Sequence, residues 1–368
     1  MIYFLVNNDY HFVDTLIHCQ ELKEYDKTLI QIPHTLRVLE RHPDFINIFT
    51  FDTPFQSLKS LFNLSKIKTT EKIIQGMLQP SKKDILFVYT EFEILNQFII
   101  AYFKKKGARV YVIEDGGFPT YLTYSVHSDK RLPFKQFLKL LYMKYILQYR
   151  FLEYWFFNNM VFPQIKAKYI DAVLLYINVN ITRSIKKYLI RKNTRQITTN
   201  SSSAILLNEK LYEIYCSKHE YMEILDDLLN GLSKQFDNIY FKFHPRETLT
   251  DQAWQKTILQ KYDNVMIVTD EAPIEQLIDK YSAKYVFSFI SAALLNLFPY
   301  GITPVYVYHL YPVLKKHPLF EQTTLLLENM GYTFLENINS SVEQVGFSNM
   351  SIETNQIELR DLANGTII

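Results

Sequence analysis

DILFVYTEFEILNQFIIAYFKKKGARVYVIEDGG, residues 84–117, contains two buried-strand runs with a helical run between them. Asp84–Tyr89 is apolar after its first residue and too short for a helix, as expected of a strand covered on both faces. Glu93–Lys106 is helical, and Gly107 stops it as a C-cap. Arg109–Ile113 is the next strand, and it delivers the chain to two carboxylates and two glycines. Strand, helix, strand in that order implies a parallel sheet with helices on its faces.

The same alternation extends outward. Upstream, Ile2–Val6 and Thr28–Ile32 read as strands, with a helical stretch at Phe12–Leu22 between them. Downstream, residues 131–195 differ: they read as helical, aromatic and basic, with few turn signals. TTNSSS (198–203) then looks like a linker into a strand at Ala204–Leu207. A second alternating series follows. Its helices are expected at Glu220–Gln235, Trp254–Tyr262, Ile274–Tyr281 and Ala292–Phe298. Its strands are expected at Asn238–Phe243, Val265–Val268, Tyr285–Ser288 and Thr303–Tyr308. The polar tail after about residue 345 reads as loosely held. A chain of 368 residues suits two domains of roughly 150–200 residues. They are expected at 1–195 and 196–368, both α/β and Rossmann-like. This arrangement suggests the GT-B plan, in which the active site is expected in the interdomain cleft. In open parallel sheets ligands bind beyond the carboxyl ends of the strands.

Composition narrows the classes. Hydrophobic residues make up 48%, enough for two cores, and a net charge of +2 argues against a dedicated nucleic-acid binder. Cys19 and Cys216 have neither zinc nor redox spacing, so two reduced thiols in a cytoplasmic protein are expected. The N-terminal MIYFLVNNDYHF lacks a basic leader and reads as a first strand, and no window reaches the ~18 apolar residues of a spanning helix. Asp226-Asp227 reads as a solvated helix face, and no DxD motif stands in a metal-binding context.

Three strand ends carry candidate chemistry. Glu114-Asp115-Gly116-Gly117 follows RVYVI, where glycines permit a sharp turn that presents a carboxylate as general base to a sugar hydroxyl. An ordinary Asp-Gly turn would look the same. Lys242-Phe243-His244-Pro245-Arg246-Glu247 ends the strand NIYFKF. Pro245 keeps His244 extended, and Lys242 and Arg246 suit the histidine to a phosphate rather than a metal. Ser288-Phe289-Ile290-Ser291-Ala292-Ala293-Leu294 runs from a strand into a helix, whose first amides and Ser291 hydroxyl favour an anion; a plain N-cap serine has the same appearance. Asn7, Asn8 and Asp9 end the first strand and, with Gly116, are candidates for the acceptor side.

In order and wording, EDGG, KFHPRE and FSFISAALLNL resemble the bacterial sialyltransferases, above all glycosyltransferase family 52, the lipooligosaccharide and capsule enzymes. The resemblance covers most of the chain and is sharp at these motifs. One departure stands out: Ala292 follows Ser291 where the family carries two adjacent serines. The resemblance implies inverting transfer of sialic acid from CMP-sialic acid to a terminal galactoside of lipooligosaccharide or capsule. Glu114 would be the base, as the first acid of the motif, although the sequence leaves Asp115 open. His244 would assist the departing phosphate, with Lys242, Arg246, Ser288 and Ser291 around the donor. Glu271 and Pro273 resemble the family's stretch near the cytidine ribose. No cofactor and no metal is expected, because a single phosphate leaves. Kdo, legionaminic acid or glucose remain alternative donor sugars, and a catalytically silent glycan-binding capsule-assembly protein is the rival from another class.

The expected partners are a nucleotide-sugar donor and a glycan or glycolipid acceptor; a homodimer is left open. Arg131, Lys135, Lys139, Lys144 and Arg150 recur at near-helical spacing among aromatics, followed by Arg183, Lys186, Lys187, Arg191, Lys192 and Arg195. Basic amphipathic helices bind anionic membranes, so 131–195 is a candidate for attachment to the inner face of a bacterial plasma membrane. Packing of the aromatic face on the core is the alternative.

Overall fold

The computed structural model describes residues 1–34, 36, 38–55, 62–115, 117–129, 131–192, 197–213, 215–317, 319–347 and 356–366. The chain divides into two compact units. In the first, β1 (Ile2–Val6), α1 (Asp9–Glu21), β2 (Lys27–Gln31), β3 (Asn47–Thr50), α2 (Leu64–Met77), β4 (Ile85–Val88), α3 (Ile94–Lys105) and β5 (Arg109–Ile113) follow in order. Then come α4 (Phe118–Ser125), α5 (Phe134–Tyr145), β6 (Leu152–Phe157), β7 (Met160–Ile165), β8 (Ala172–Leu175) and β9 (Lys186–Leu189). Seven strands form one parallel sheet in the order β3-β2-β1-β4-β5-β8-β9. The central strands β1 and β4 are buried at every residue, which is why their sequences are continuously apolar. Gly107 adopts φ 87°, the left-handed cap that ends α3.

The second unit contains β10 (Asn200–Leu207), α6 (Lys218–Ser233), β11 (Asn238–Lys242), α7 (Leu249–Leu259), β12 (Val265–Val268), α8 (Ile274–Tyr281), β13 (Ala283–Ser288), α9 (Ala293–Leu297), β14 (Thr303–Tyr306) and α10 (Phe320–Asn329). The two-residue strands β15 (Tyr332–Thr333) and β16 (Gly346–Phe347) pair antiparallel. Its parallel sheet runs β12-β11-β10-β13-β14, with β10 at the centre. Capping boxes start α6 (Ser217 with Glu220) and α7 (Thr248 with Asp251). Gly231 lets α6 approach the Ile338 side chain, since a Cβ there would lie 2.5 Å from its Cγ1. Gly231→Ala is therefore expected to lower stability by about 1 kcal/mol, overpacking outweighing the gain in helix propensity. A melt in which the variant is as stable as wild type would show that Ile338 yields freely.

Three expectations change. Among the described residues of 131–195, α5 is the only α-helix, joined by a single 3-10 turn at Ala167–Tyr169; β6 and β7 form an antiparallel hairpin whose turn begins at Asn158, in the left-handed region at φ 50°. Its run of consecutive aromatics, Tyr154–Phe157, is of the residue types that favour strands, and its turn is polar but lacks glycine. TTNSSS is not a free linker, because Asn200–Ser203 already belongs to β10. The tail also does not stay with the second half. Helix α11 (Leu359–Asn364) packs in the first unit, with Leu359 and Leu362 in the core beside Phe4, Leu29 and Ile190. Arg109 fastens it there, donating from Nη1 to the Leu362 carbonyl at 2.6 Å.

Three of the six residues of the second basic cluster serve the interior or its edges. Arg183 is nearly buried, paired with Glu91 and, at 3.1 Å, with Glu153, while Lys192 pairs with Asp14 at 2.7 Å. Lys187 donates to the Asn178 side chain at 2.6 Å. Arg195 lies outside the described residues. Helix α5 is another matter. Met143 alone of its residues is buried, and Phe134 and Tyr145 are 74% and 65% exposed. Phe137, Leu138 and the following Ile146 are exposed as well, and Phe62, itself exposed, lies against Tyr142. Among the described residues, no helix is long and apolar enough to cross a membrane.

Candidate active site

In the first unit β1, β4, β5 and β8 end along one edge of the sheet. Glu114 leaves β5 there with its amide on the Leu174 carbonyl at 2.9 Å. Its side chain turns inward and is only 3% exposed. Oε2 accepts from the Tyr176 amide at 3.0 Å and from the Tyr121 hydroxyl. Burial pushes this carboxyl well above the usual glutamate range, and the Tyr176 amide and Lys192 only partly oppose it. A carboxyl so poised holds a proton more readily than an exposed one, which a general base requires. Asp115 is half-exposed and accepts from Thr120 Oγ1 at 2.5 Å.

Beneath this edge lies a cluster that the sequence reading did not single out. Asp14, fully buried on α1, sits between Lys192 Nζ at 2.7 Å, the Tyr176 hydroxyl at 2.6 Å and His18 Nε2 at 3.4 Å. Burial works against both charges. The neighbouring carboxylates of Asp14 and Glu21 nevertheless raise His18 to about 9, and Lys192 with His18 holds Asp14 below the usual carboxylate range. The Asp14–His18 spacing on one helix face was the cluster's only local signal; Tyr176 and Lys192 arrive by topology.

The acceptor-side candidates are placed as follows. Asn8 is the N-cap of α1, its Oδ1 accepting the His11 amide at 2.8 Å, which accounts for its local role. Asp9 opens the same helix. Asn7 is buried and paired with Asn96, whose Nδ2 donates to it at 2.9 Å. Gly116 lies outside the described residues.

In the second unit, His244 follows the end of β11. The Arg246 amide donates to His244 Nδ1 at 3.1 Å, so the proton of the neutral ring sits on Nε2. The His244 amide donates to Glu247 Oε2 at 2.9 Å, and Glu247 is buried. Lys242 donates to the Asp270 carbonyl at 2.7 Å, tying the His-Pro turn to the loop that carries Glu271. Arg246 and Glu271 are exposed, and Pro273 caps α8. Ser288 departs from the expected donor contact. It is fully buried, with its hydroxyl 2.8 Å from the Leu207 carbonyl and 2.6 Å from Glu209 Oε1. Ser291 is half-exposed, and its hydroxyl accepts the Ala293 amide at 3.3 Å as a local cap. The turn between them already holds a carboxyl group of the chain's own, since Glu209 Oε1 accepts the Ile290 amide at 2.7 Å.

Two Rossmann-like units in tandem, with acidic, histidine and serine groups at their strand ends, define the class: a glycosyltransferase of the GT-B fold. The chain belongs to the alpha-2,8-polysialyltransferase (POLYST) family, whose model matches residues 4–309. That match bears out the sialyltransferase kinship carried by the three motifs; it does not name family 52. Among solved structures, a protein described as a UDP-N-acetylglucosamine 2-epimerase from Listeria monocytogenes is similar at 8% identity, with TM-score 0.50 over 94% of this chain and 91% of that one. The GT-B domain of a sialyltransferase from Photobacterium damselae is similar at 12% identity, with TM-score 0.49 over 90% and 97% of the respective chains. At these identities the likeness concerns the fold, and neither bears on function. No curated protein matches the chain in sequence.

Proposed function

We propose that the chain transfers sialic acid from CMP-sialic acid to a glycan hydroxyl by direct, inverting displacement. The observation that carries this reading is the family match through both units, which include the strand-end Glu114 and His244. Glu114 takes the proton of the acceptor hydroxyl as the new bond forms. His244, with its proton on Nε2, donates to the phosphate of the departing CMP, and Lys242, Arg246 and Ser291 act around the donor. Glu271 and Pro273 belong to the ribose side of the same reading, and Asn8, Asp9 and Gly116 to the acceptor side. A single phosphate needs less charge compensation than a diphosphate, so no divalent ion takes part. The acceptor is a glycan of lipooligosaccharide or capsule, ending in galactose or, as the family's description favours, in sialic acid. The test is incubation with CMP-sialic acid in excess chelator, with lactose and an α-2,8-linked sialyl oligomer as competing acceptors, followed by mass analysis. Transfer to neither, strict dependence on added magnesium or manganese, or transfer only from another sugar nucleotide would sink the reading.

Helix α5 supports a second element, attachment to the inner face of the plasma membrane from the cytoplasmic side. Its exposed Phe134, Phe137 and Leu138 stand beside Lys135 and Lys139, a combination suited to an anionic bilayer surface. Binding to vesicles containing acidic phospholipid is expected to weaken with salt, because exposed charges are screened beyond about 10 Å at 0.1 M. Replacing Lys135 and Lys139 by Glu should release the protein while leaving activity on a small soluble acceptor unchanged. Equal binding to neutral vesicles would remove the electrostatic component.

A further inference from the structure

The two residues that leave the central strand β10, Asn208 and Glu209, touch the two candidate donor turns separately. Asn208 is 4% exposed and donates from Nδ2 to Glu247 Oε1 at 2.8 Å and to Gln255 Oε1 at 2.9 Å. It accepts from the buried Tyr221 hydroxyl, and its own amide donates to the Lys242 carbonyl at 2.9 Å. Glu247, which Gln255 also contacts through Nε2, holds the His244 amide with its other oxygen. The path from Asn208 to the imidazole is thus one carboxylate long. Glu209 faces the other turn, where its Oε1 receives the Ile290 amide and lies 2.6 Å from Ser288 Oγ. Because β10 lies between β11 and β13, its exit is the one place in the sheet adjacent to both turns.

We propose that Asn208 and Glu209 are positioning residues that set the His244 turn and the Ser288–Ser291 turn in a common frame for the donor nucleotide. The inference rests on the donor-binding reading of His244 and Ser291. Asn208 fixes Glu247, which fixes the backbone from which His244 projects. Glu209 fills the turn around Ile290 with an internal carboxylate, so that this turn meets the donor through Ser291 rather than through the amide that Glu209 holds. Neither residue touches the donor; each acts through a neighbour. Gln255 and Tyr221 complete the buried network that leaves Asn208 no other orientation.

The test is a pair of double-mutant cycles read by calorimetric titration with CMP, UMP and UDP, alongside thermal melts. Asn208→Ala should weaken binding of the preferred nucleotide about tenfold, and should add little to the loss already caused by His244→Ala. Glu209→Ala should behave likewise with Ser291→Ala, yet be additive with His244→Ala. Should Asn208→Ala fail to fold, Glu247→Gln keeps the side chain's size, replaces one accepting oxygen with a donor and so breaks one arm of the same path, and enters the same cycle. Additive losses within each pair, or unchanged affinity in a folded variant, would overturn the assignment. Preference for a uridine nucleotide would overturn the CMP reading alone, since the cycles then run with that nucleotide. Binding of none of the three by the wild-type protein would overturn both.

Discussion

Glu114→Gln is expected to lower turnover by roughly 10²-fold or more while leaving nucleotide affinity nearly intact, because a base contributes only as the proton moves. The environment of Glu114 adds a signature in pH. A buried carboxyl whose affinity for protons is raised must lose its proton before it can act. Activity should therefore fall on the acid side at a pH above that of an ordinary glutamate, about 4.3. Tyr121→Phe removes a hydrogen bond that favours the charged form, so its acid limb should move to still higher pH. The measurement is kcat against pH for wild type, Glu114→Gln and Tyr121→Phe. Wild-type rates in Glu114→Gln would end the assignment, and a dead Asp115→Asn beside an active Glu114→Gln would move the base by one residue.

His244→Ala should weaken nucleotide binding and lower kcat together. Donors aimed at developing charge contribute about 10²–10³ in rate, and this imidazole is proposed to meet the phosphate both before and during departure. The tautomer matters here. With Nδ1 engaged by the Arg246 amide, only Nε2–H can be offered. The Pro245 ring keeps that short loop stiff, so loss of the side chain should leave the turn standing. Titration of nucleotide and steady-state kinetics on the same preparation separate the two effects. If the melt changes while kinetics survive, His244 is part of the framework only.

The legible parts of the chain were those where pattern and burial agree. Ile2–Val6, Arg109–Ile113, Val265–Val268 and Ile274–Tyr281 have the bounds expected of them, because continuous apolar runs or a strong helical stripe leave little choice. Strand β3 was not expected, since Asn47–Thr50 is an edge strand whose residues are exposed or partly exposed and whose apolar residues are interrupted by Asn47 and Thr50. The β6–β7 hairpin was hidden because its turn, Asn158-Asn159, carries no glycine and its aromatics Tyr154–Phe157 run consecutively, without a strand's alternation. In the site, the motifs named Glu114 and His244 but not what surrounds them. Lys192 lies 178 positions from Asp14, and only the fold of the first unit makes them neighbours at 2.7 Å. Ser288 looked like a ligand contact because a strand-end serine shows its hydroxyl in sequence but not the direction in which it points.

Helix α11 also bears on the birth of the protein. Residues Ile352–Ile368 join the first unit across an intervening Thr194–Ser351 that belongs to the second. On a ribosome adding ~5–20 residues per second, the first unit must wait roughly 10–30 s for Leu359 and Leu362 to emerge. During that interval the surface they will cover, near Phe4 and Leu29, stands open in a nascent chain whose second unit is already free to fold. A helix six residues long thus makes the order of synthesis differ from the order of completion, and gives a chaperone a defined window in which to act.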